Sequence, residues 1–596
     1  MVRIAVVDTN VEVKNKVFNN YNISICDVTN RKYIPCGHGT AVCGIIAKNA
    51  PDSRIDVFPI FENEYSLVEI GDLVEVLKYI LESKCYDIVN LSNGIITSDC
   101  INELKHVCDQ LKDEGTLVIS AYDNTSMMSY PACFDSVIGV DGENSIHNIE
   151  AYYWLNNSPV NIMGYSRQRR VAWVGNKSAI GVGNSYLCSQ ITAFAANYLN
   201  GNNVNDIETF FIKNAEKIIN CESKQWQAPK FIVNHAIIFP YNKEMHALIK
   251  FKEELEWEID GIYDVKYSMN LGNYPKELKN RDVKYKIQNW EKIDWNAQFD
   301  AVIIGHVKEL VSMFGDDFVC KIIKNAIIHG KNLYVFDKYL YDIYLKEKEY
   351  CEESDSLCFY PSLEIGNLCG NFWGKMWMPS LPVVGVFGTN SKQGKYTLQL
   401  ELKNSLKRLG YQVAHLATEP NGWLLGSNAV FHFGYQNDGG CTEKEYVLYL
   451  NQLIHKIENE DIYDILITGS QSNTIPYTNF LGDNITVAQS AFLQGTAPDA
   501  VILTVSPEDD ISYIFRTINH IEAYVNTKVV AVVIFPLKRK LLAGGMLGYE
   551  NIAGTEEMKD KINKIKEIFC GFVVENNNVS NELCEILIEY LAQENV

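Results

Sequence analysis

The sequence predicts an α/β protein made of successive parallel sheets, and three observations predict it. Short apolar runs such as Val2–Val7, Ala301–Ile304, Val383–Phe387 and Ala500–Val505 have the length and composition of strands buried on both faces. Segments with helical spacing lie between many of these runs, so strand and helix alternate along the chain. Glycine-rich stretches and lone carboxylates follow several of the runs, where α/β sheets place their ligands.

Composition narrows the function classes. A chain of 596 residues is expected to hold about three or four domains. Hydrophobic residues are 47% and charged residues 21%, ordinary for a globular protein with filled cores. The formal net charge of −21 argues against nucleic acid as a partner, since phosphate binding needs clustered Lys and Arg, and it favours a basic peptide segment. The sixteen cysteines are scattered without C-x-x-C pairs or zinc spacing, which reads as reduced core thiols. No basic-then-apolar leader and no membrane-spanning apolar run is present, so the expected setting is the cytoplasm, with no membrane partner.

In the first third, the strand Val2–Val7 ends on Asp8-Thr9-Asn10. Next comes Gly37-His38-Gly39-Thr40-Ala41-Val42-Cys43-Gly44, a histidine between glycines at the start of a small-residue helix. Gly181-Val182-Gly183-Asn184-Ser185 then leads into a second helical run through Ala196. A serine at a helix N-terminus has unpaired N–H groups beside it, which stabilise negative charge on a substrate oxygen. Asp8, His38 and Ser185 stand in the chain order of one convergent solution to the serine triad.

These motifs, over residues 1–237, resemble the subtilisin-like serine peptidases. The family's D-[ST]-G, H-G-T-H-V-A-G and G-T-S-M-A-x-P-H-V-A motifs are matched by Asp8–Asn10, His38–Gly44 and Gly183–Thr192. Ile88–Gly94 resembles the N-x-S-x-G strand, which implies substrate contacts from Ser92, Asn93 and Gly94. Val118–Asn124 resembles the A-A-G-N segment, which implies that Asn124 donates to the oxyanion. Tyr130–Ala132 and Ser136–Val140 continue the match, and Phe231–Ala236 resembles the family's closing V-N-A segment. The resemblance implies that Ser185 attacks a peptide carbonyl, His38 carries the proton and Asp8 orients the imidazole. The sequence departs from the pattern at Asn10 for Gly, Ala41 for the second His, and Ser189-Gln190 for Pro-His. None of these removes a triad atom. The chain starts at its first strand, without the pro-segment of secreted members, which suggests a narrow-specificity processing enzyme.

Residues 238–379 read as a small Rossmann-like α/β domain with an accessory or recognition role. Strands are expected at Ala236–Phe239, Ile259–Tyr267, Ala301–Ile304 and Leu333–Phe336, with helices over Glu244–Glu256 and Val307–Ile328. Asp300 and Asp337 read as turn residues, and no catalytic constellation is visible. Gly366–Ser380 reads as a covering loop or connector.

Residues 380–596 read as a nucleotide-binding domain. The strand Val383–Phe387 runs into Gly388-Thr389-Asn390-Ser391-Lys392-Gln393-Gly394-Lys395-Tyr396-Thr397 and then a helix. A strand, a glycine-bracketed loop ending Gly-Lys and a helix form a phosphate cradle of backbone N–H groups, helix dipole and lysine charge. The loop is one residue longer than the regular P-loop, and Tyr396 takes the usual Mg²⁺-ligand position. It resembles the dethiobiotin-synthetase-like P-loop enzymes, which implies ATP and Mg²⁺. Thr397 or Glu419 is the expected metal ligand, because Thr468 stands where relatives carry an acid. The strands Gln412–Ala417, Asp464–Gln471, Ala500–Val505 and Val529–Phe535 complete the expected parallel sheet.

The arrangement from about Pro240 onward also resembles a bacterial peptide maturation system protein, encoded beside small natural-product precursors. The predicted architecture is therefore α/β: a subtilisin-like parallel-sheet domain, a Rossmann-like domain and a P-loop NTPase-like domain. The expected function is cytosolic maturation of a ribosomal precursor peptide, with a serine endopeptidase cleaving its leader and an ATP-binding half modifying or licensing it. Its partners would be that precursor and other maturation proteins. A catalytically silent peptide-binding fold under an ATPase switch, and a protease gated by nucleotide, are the alternatives.

Overall fold

A computed structural model describes the chain except residues 30, 64–68, 93, 97–99, 126, 222–227, 267, 279–281, 352, 362–373, 432–441, 479–485, 542–546, 576–580 and 595–596. The fold is mixed α/β with several mainly parallel sheets. The chain forms two compact units, Met1–Ser223 with Cys369–Met378, and Lys224–Leu368 with Pro379–Val596.

The first unit carries β1 (Arg3–Thr9), β2 (Asn22–Ile25), α1 (Gly37–Asn49), β3 (Arg54–Phe61), α2 (Ile70–Ser83), β4 (Ile88–Leu91), α3 (Ile101–Asp113), β5 (Leu117–Ala121) and β6 (Val137–Gly142). It continues with β7 (Tyr152–Asn156), β8 (Ile162–Gly164), β9 (Arg169–Trp173), β10 (Lys177–Gly181), α4 (Asn184–Leu199), α5 (Ile207–Asn214) and β11 (Lys217–Asn220). Nine strands form one sheet in the order β11-β7-β8-β6-β5-β4-β1-β3-β2. Neighbours pair in parallel except β7 with β8. The pleat sends alternate β1 residues to opposite faces. Ile4 and Val6 join a core with residues of α1, α4 and α5, and Ala5 and Val7 join one with residues of α2 and α3. Burial on both faces explains why these strands read as continuous apolar runs.

Among the described residues the second unit contains two large sheets and a separate two-stranded hairpin. β12 (His235–Phe239), α6 (Lys243–Lys250), β13 (Glu258–Asp264), β14 (Gln288–Asn289), β15 (Ala301–Ile304), α7 (Lys308–Phe314), α8 (Asp317–Ile328), β16 (Asn332–Val335), α9 (Lys338–Glu349) and β17 (Cys358–Phe359) build the first, of order β14-β13-β12-β15-β16-β17. The second is built by β18 (Val383–Gly388), α10 (Lys395–Arg408), β19 (Val413–Ala417), β20 (Ala429–Val430), α11 (Glu443–Glu460), β21 (Ile465–Gly469), α12 (Val487–Thr496), β22 (Ala500–Val505), α13 (Ile511–Tyr524) and β23 (Lys528–Ile534). α14 (Glu556–Lys566), β26 (Phe572–Glu575) and α15 (Asn581–Glu594) complete it, in the order β20-β19-β21-β18-β22-β23-β26, while β24 (Leu537–Leu541) and β25 (Leu547–Asn551) form a separate antiparallel hairpin. Both sheets are parallel throughout.

The two sheets, read from sequence as separate domains, share one core in which Ile238, Tyr334 and Phe336 meet Leu400, Leu424 and Leu425. Phe231 and Val233 pack against the same core, and Ala236 lies in β12, so the segment resembling a closing V-N-A belongs to this unit. The helix expected over Val307–Ile328 is two helices, because Gly315 takes φ +77° and ends α7. The helix expected to reach Glu256 stops at Lys250, followed by a short 3-10 turn at Lys252–Glu254. The strand expected to run to Tyr267 ends at Asp264, whose carboxylate accepts from Val265 N and Asn270 Nδ2 and turns the chain. Residues 374–378 of the expected connector pack in the first unit, and 366–373 fall outside the described residues.

Candidate functional site

Asp8, Ser92 and Asn124 stand at or beyond the ends of neighbouring strands: Asp8 is the penultimate residue of β1, Ser92 follows β4, and Asn124 follows β5. His38 and Ser185 stand in the first turns of α1 and α4. Gly39 lets α1 touch the end of β1: a Cβ there would lie 2.2 Å from Thr9 O. Gly183 takes φ +138°, and a Cβ on it would lie 3.1 Å from Asn124 Oδ1. Both positions need the smallest residue.

Asp8 is buried, and its Oδ1 accepts from Thr9 N at 2.6 Å, from Thr9 Oγ1 at 3.1 Å and from His38 Nδ1 at 2.7 Å. A carboxylate only accepts, so this contact places a proton on Nδ1. Asp8 Oδ2 is buried without a hydrogen-bond partner. The His38 ring lies against Tyr186, with centroids 5.5 Å apart. Ser185 Oγ donates to Ser92 O, at the end of β4, at 3.0 Å.

The backbone N–H of Asn184 donates to Asn124 Oδ1 at 3.0 Å. That bond assigns oxygen and nitrogen in the carboxamide and leaves Nδ2, on an exposed side chain, to donate. Gly94 is tightly enclosed, since a Cβ would lie 2.7 Å from Asp123 N and from Ser129 Oγ. Asn93 lies outside the described residues. The departures from the subtilisin-like pattern are internally satisfied. Asn10 donates from Nδ2 to Tyr33 O and accepts from Val11 N, Ser189 Oγ donates to Ser185 O, and Gln190 Oε1 accepts from Asn49 Nδ2.

In the second unit, Gly388 ends β18, and Thr389 to Gly394 form the loop into α10. Gln393 braces the loop: its Oε1 accepts from Asn390 N and its Nε2 donates to Thr389 Oγ1 and Asp509. Ser391 N donates to Asn390 Oδ1, and Lys392 is exposed. Lys395 Nζ folds back onto Asn390 O at 2.7 Å. Lys395 is 7% exposed, and burial, with Lys243 adding, pulls its pKa down to about 7 against Glu419 and Asp509. A buried ammonium bonded to a loop carbonyl fits an anion, so the residues suit a phosphate ligand.

Tyr396 lies near His415, ring centroids 6.1 Å apart, and its buried hydroxyl lacks a hydrogen-bond partner. Thr468 is spent on Leu416 O, so it offers little to a metal. Thr397 is half-buried on α10. Glu419, just past β19, is raised by burial and Glu244 against Lys243, His306 and Lys395.

One cluster escaped the sequence reading. His306 Nδ1 lies 2.5 Å from Asp337 Oδ1, and Val307 N donates to Asp337 Oδ2 at 3.0 Å. Burial pulls the His306 pKa down, but Asp337 outweighs it and the net shift is upward. Asn242 Nδ2 donates to His306 O, and Asn421 Nδ2 donates to Glu244 O, which brings the Glu419 loop to the same strand ends. A histidine and an aspartate each shortly past a strand end were the available signal. The groups that could hold a metal among the described residues also include exposed His235, Glu258 and Asp260. The described cysteines are free thiols, and no described helix is long and apolar enough to cross a membrane.

Against known proteins, residues 373–575 match the family model described as "Domain of unknown function (DUF1611_C) P-loop domain". A comparison with curated proteins finds no match. Similar solved structures include the patellamide maturation protease PatA, 18% identical with a TM-score of 0.29, covering 35% of this chain and 80% of that one. The prenylagaramide maturation protease PagA is 16% identical with a TM-score of 0.30, covering 38% and 86%. A DUF1611 family protein from Anabaena variabilis is 15% identical with a TM-score of 0.43, covering 61% of this chain and all (100%) of that one. This chain thus carries, over residues 373–575, a segment matched by the DUF1611 P-loop family model.

Proposed function

We propose that this chain is a cytoplasmic serine endopeptidase that matures a precursor peptide, joined to a unit that binds ATP with Mg²⁺ and modifies or licenses the same peptide. The observation that carries the reading is the Asp8–His38 contact, with the His38 ring lying against Tyr186, the residue after Ser185. Ser185 Oγ swings from Ser92 O toward His38, gives its proton to Nε2 and bonds to the scissile carbonyl carbon. The carbonyl electron pair moves onto oxygen, where Asn124 Nδ2 donates. His38 then returns the proton to the leaving amine, and water repeats the sequence to free the acyl group. Asp8 keeps the imidazole in its tautomer throughout. In the second unit Lys395 and the loop amides would hold the phosphates, and Thr397 or Glu419 would hold the metal. ATP, when bound, would supply phosphoryl-transfer free energy there. Fusion keeps both activities at high effective concentration around one peptide, and the −21 charge supports a basic segment in that peptide.

A second reading, in which nucleotide gates cleavage, is favoured by one contact: the Ser185 hydroxyl is spent on Ser92 O. One experiment tests both readings. Wild type and Ser185→Ala are treated with a fluorophosphonate probe, with and without Mg-ATP. Labelling of wild type alone, independent of nucleotide, supports the proposed enzyme. Labelling that requires Mg-ATP supports the gate. No labelling in either condition overturns both readings in favour of a peptide-holding fold.

A further inference from the structure

The segment Gly374–Met378 packs with the first unit, although the chain before and after it belongs to the second. Met128 N donates to Met376 O at 2.7 Å, and Met127 and Met376 pair as a parallel bridge. Trp377 packs on a small cluster that includes Tyr122, Met128 and Ala132. Lys375, between glycine and methionine in this strap, is only 4% exposed. Its Nζ lies 3.0 Å from Asp141 Oδ2, 5.1 Å from the centre of the Tyr122 ring, and within 3.4 Å of Thr125 O.

Each of those contacts borders the reacting groups. Asp141, itself buried, accepts through Oδ1 from Asn184 Nδ2 at 2.7 Å, and Asn184 Nδ2 also donates to Tyr122 O at 3.0 Å. Asn184 precedes the nucleophile, and its N–H holds Asn124 Oδ1. Thr125 follows Asn124. The ammonium therefore neutralises a carboxylate that helps fix the Asn184 side chain, and Asn184 in turn fixes the direction of the Asn124 donor. A buried carboxylate without its cation would pull in water or a proton and release its other partner.

We propose that Lys375 is a positioning residue of the peptidase site, and that the Gly374–Met378 strap completes the oxyanion side of that site. The inference rests on the peptidase reading of Ser185. It makes a segment lying far beyond the peptidase motifs in sequence a requirement for the chemical step.

The test uses full-length protein and the saturation kinetics of fluorophosphonate labelling for wild type, Ser185→Ala, Lys375→Met, Lys375→Arg and the double variant Lys375→Met/Asp141→Asn. The expected result is at least a tenfold fall in the limiting labelling rate for Lys375→Met, with an unchanged half-saturating probe concentration. Lys375→Arg, which keeps the charge, recovers most of the rate. The double variant, which buries no charge, folds and labels faster than Lys375→Met. A purely structural strap would lower the fraction of active protein and leave the limiting rate of the remainder unchanged, which overturns the proposal. Labelling of Lys375→Met at or above the wild-type rate overturns it as well. A wild type that labels no faster than Ser185→Ala overturns the peptidase reading and this inference with it.

Discussion

The backbone N–H of Asn184 donates to Asn124 Oδ1 at 3.0 Å, and this bond leaves the Asn124 Nδ2 end of the carboxamide to donate. On the proposed peptidase reading, the helix that carries Ser185 thereby aims the oxyanion donor. Replacing Asn124 by alanine is expected to lower kcat about 10²- to 10³-fold with little change in KM, since the lost interaction forms only as the carbonyl oxygen gains charge. Steady-state cleavage of a peptide reporter checks this, and an equal loss spread into KM would contradict it.

Gly183 sits at φ +138° with the Asn124 side chain 3.1 Å from where a Cβ would be. Gly183→Ala combines a strained backbone with a collision at the oxyanion donor. About 1–3 kcal/mol of stability should be lost through the backbone alone. The fluorophosphonate labelling rate of the protein that remains folded should fall too. Urea unfolding and labelling, measured side by side, separate the two effects.

Lys395 is held down to about 7 by burial, and a bound phosphate would favour its charged form. Binding then takes up a proton, so affinity should fall as pH rises above that value. Between pH 7.5 and 8.5 the Kd for a nucleotide is expected to rise about eightfold if the bound lysine stays charged. Calorimetry in buffers of different ionisation enthalpy should show the proton uptake. Lys395→Met should bind weakly at both pH values and lose the dependence.

His306 and Asp337, 2.5 Å apart, make a contribution to stability that depends on pH. The His306 pKa is raised in the fold, so this contribution is complete below the unfolded value of about 6.5 and is lost as pH rises through the raised folded value. Asp337→Asn should therefore cost more at pH 5.5 than at pH 9, by about 1–3 kcal/mol at the acidic end. Equal costs at both pH values, from denaturant midpoints, would show that the pair is not charged in the native state.

The placement of Asp8, His38, Ser185 and the Gly388–Thr397 loop at strand ends and helix starts was legible in the amino-acid order because each sits in a short local motif. A strand end or the first turn of a helix needs only a few neighbours to be recognised, and the chemistry of such positions follows from unpaired backbone groups. The buried strands were legible for a related reason, since burial on both faces writes a continuous apolar run. Boundaries were less legible where a glycine such as Gly315 or a turn-forming carboxylate such as Asp264 interrupts a longer apolar pattern.

What only the tertiary structure decided are the pairings between distant residues. Lys375 meets Asp141, His306 meets Asp337, and Tyr334 and Phe336 share a core with Leu424 and Leu425. Nothing local distinguishes Lys375 from a surface lysine or Asp337 from a turn residue. Their partners are set by strand order and by where the connector crosses back, and neither leaves a period in the sequence. The Ser185 hydroxyl is the sharpest case: its position was readable, but its bond to Ser92 O depends on how the ends of β4 and α4 meet.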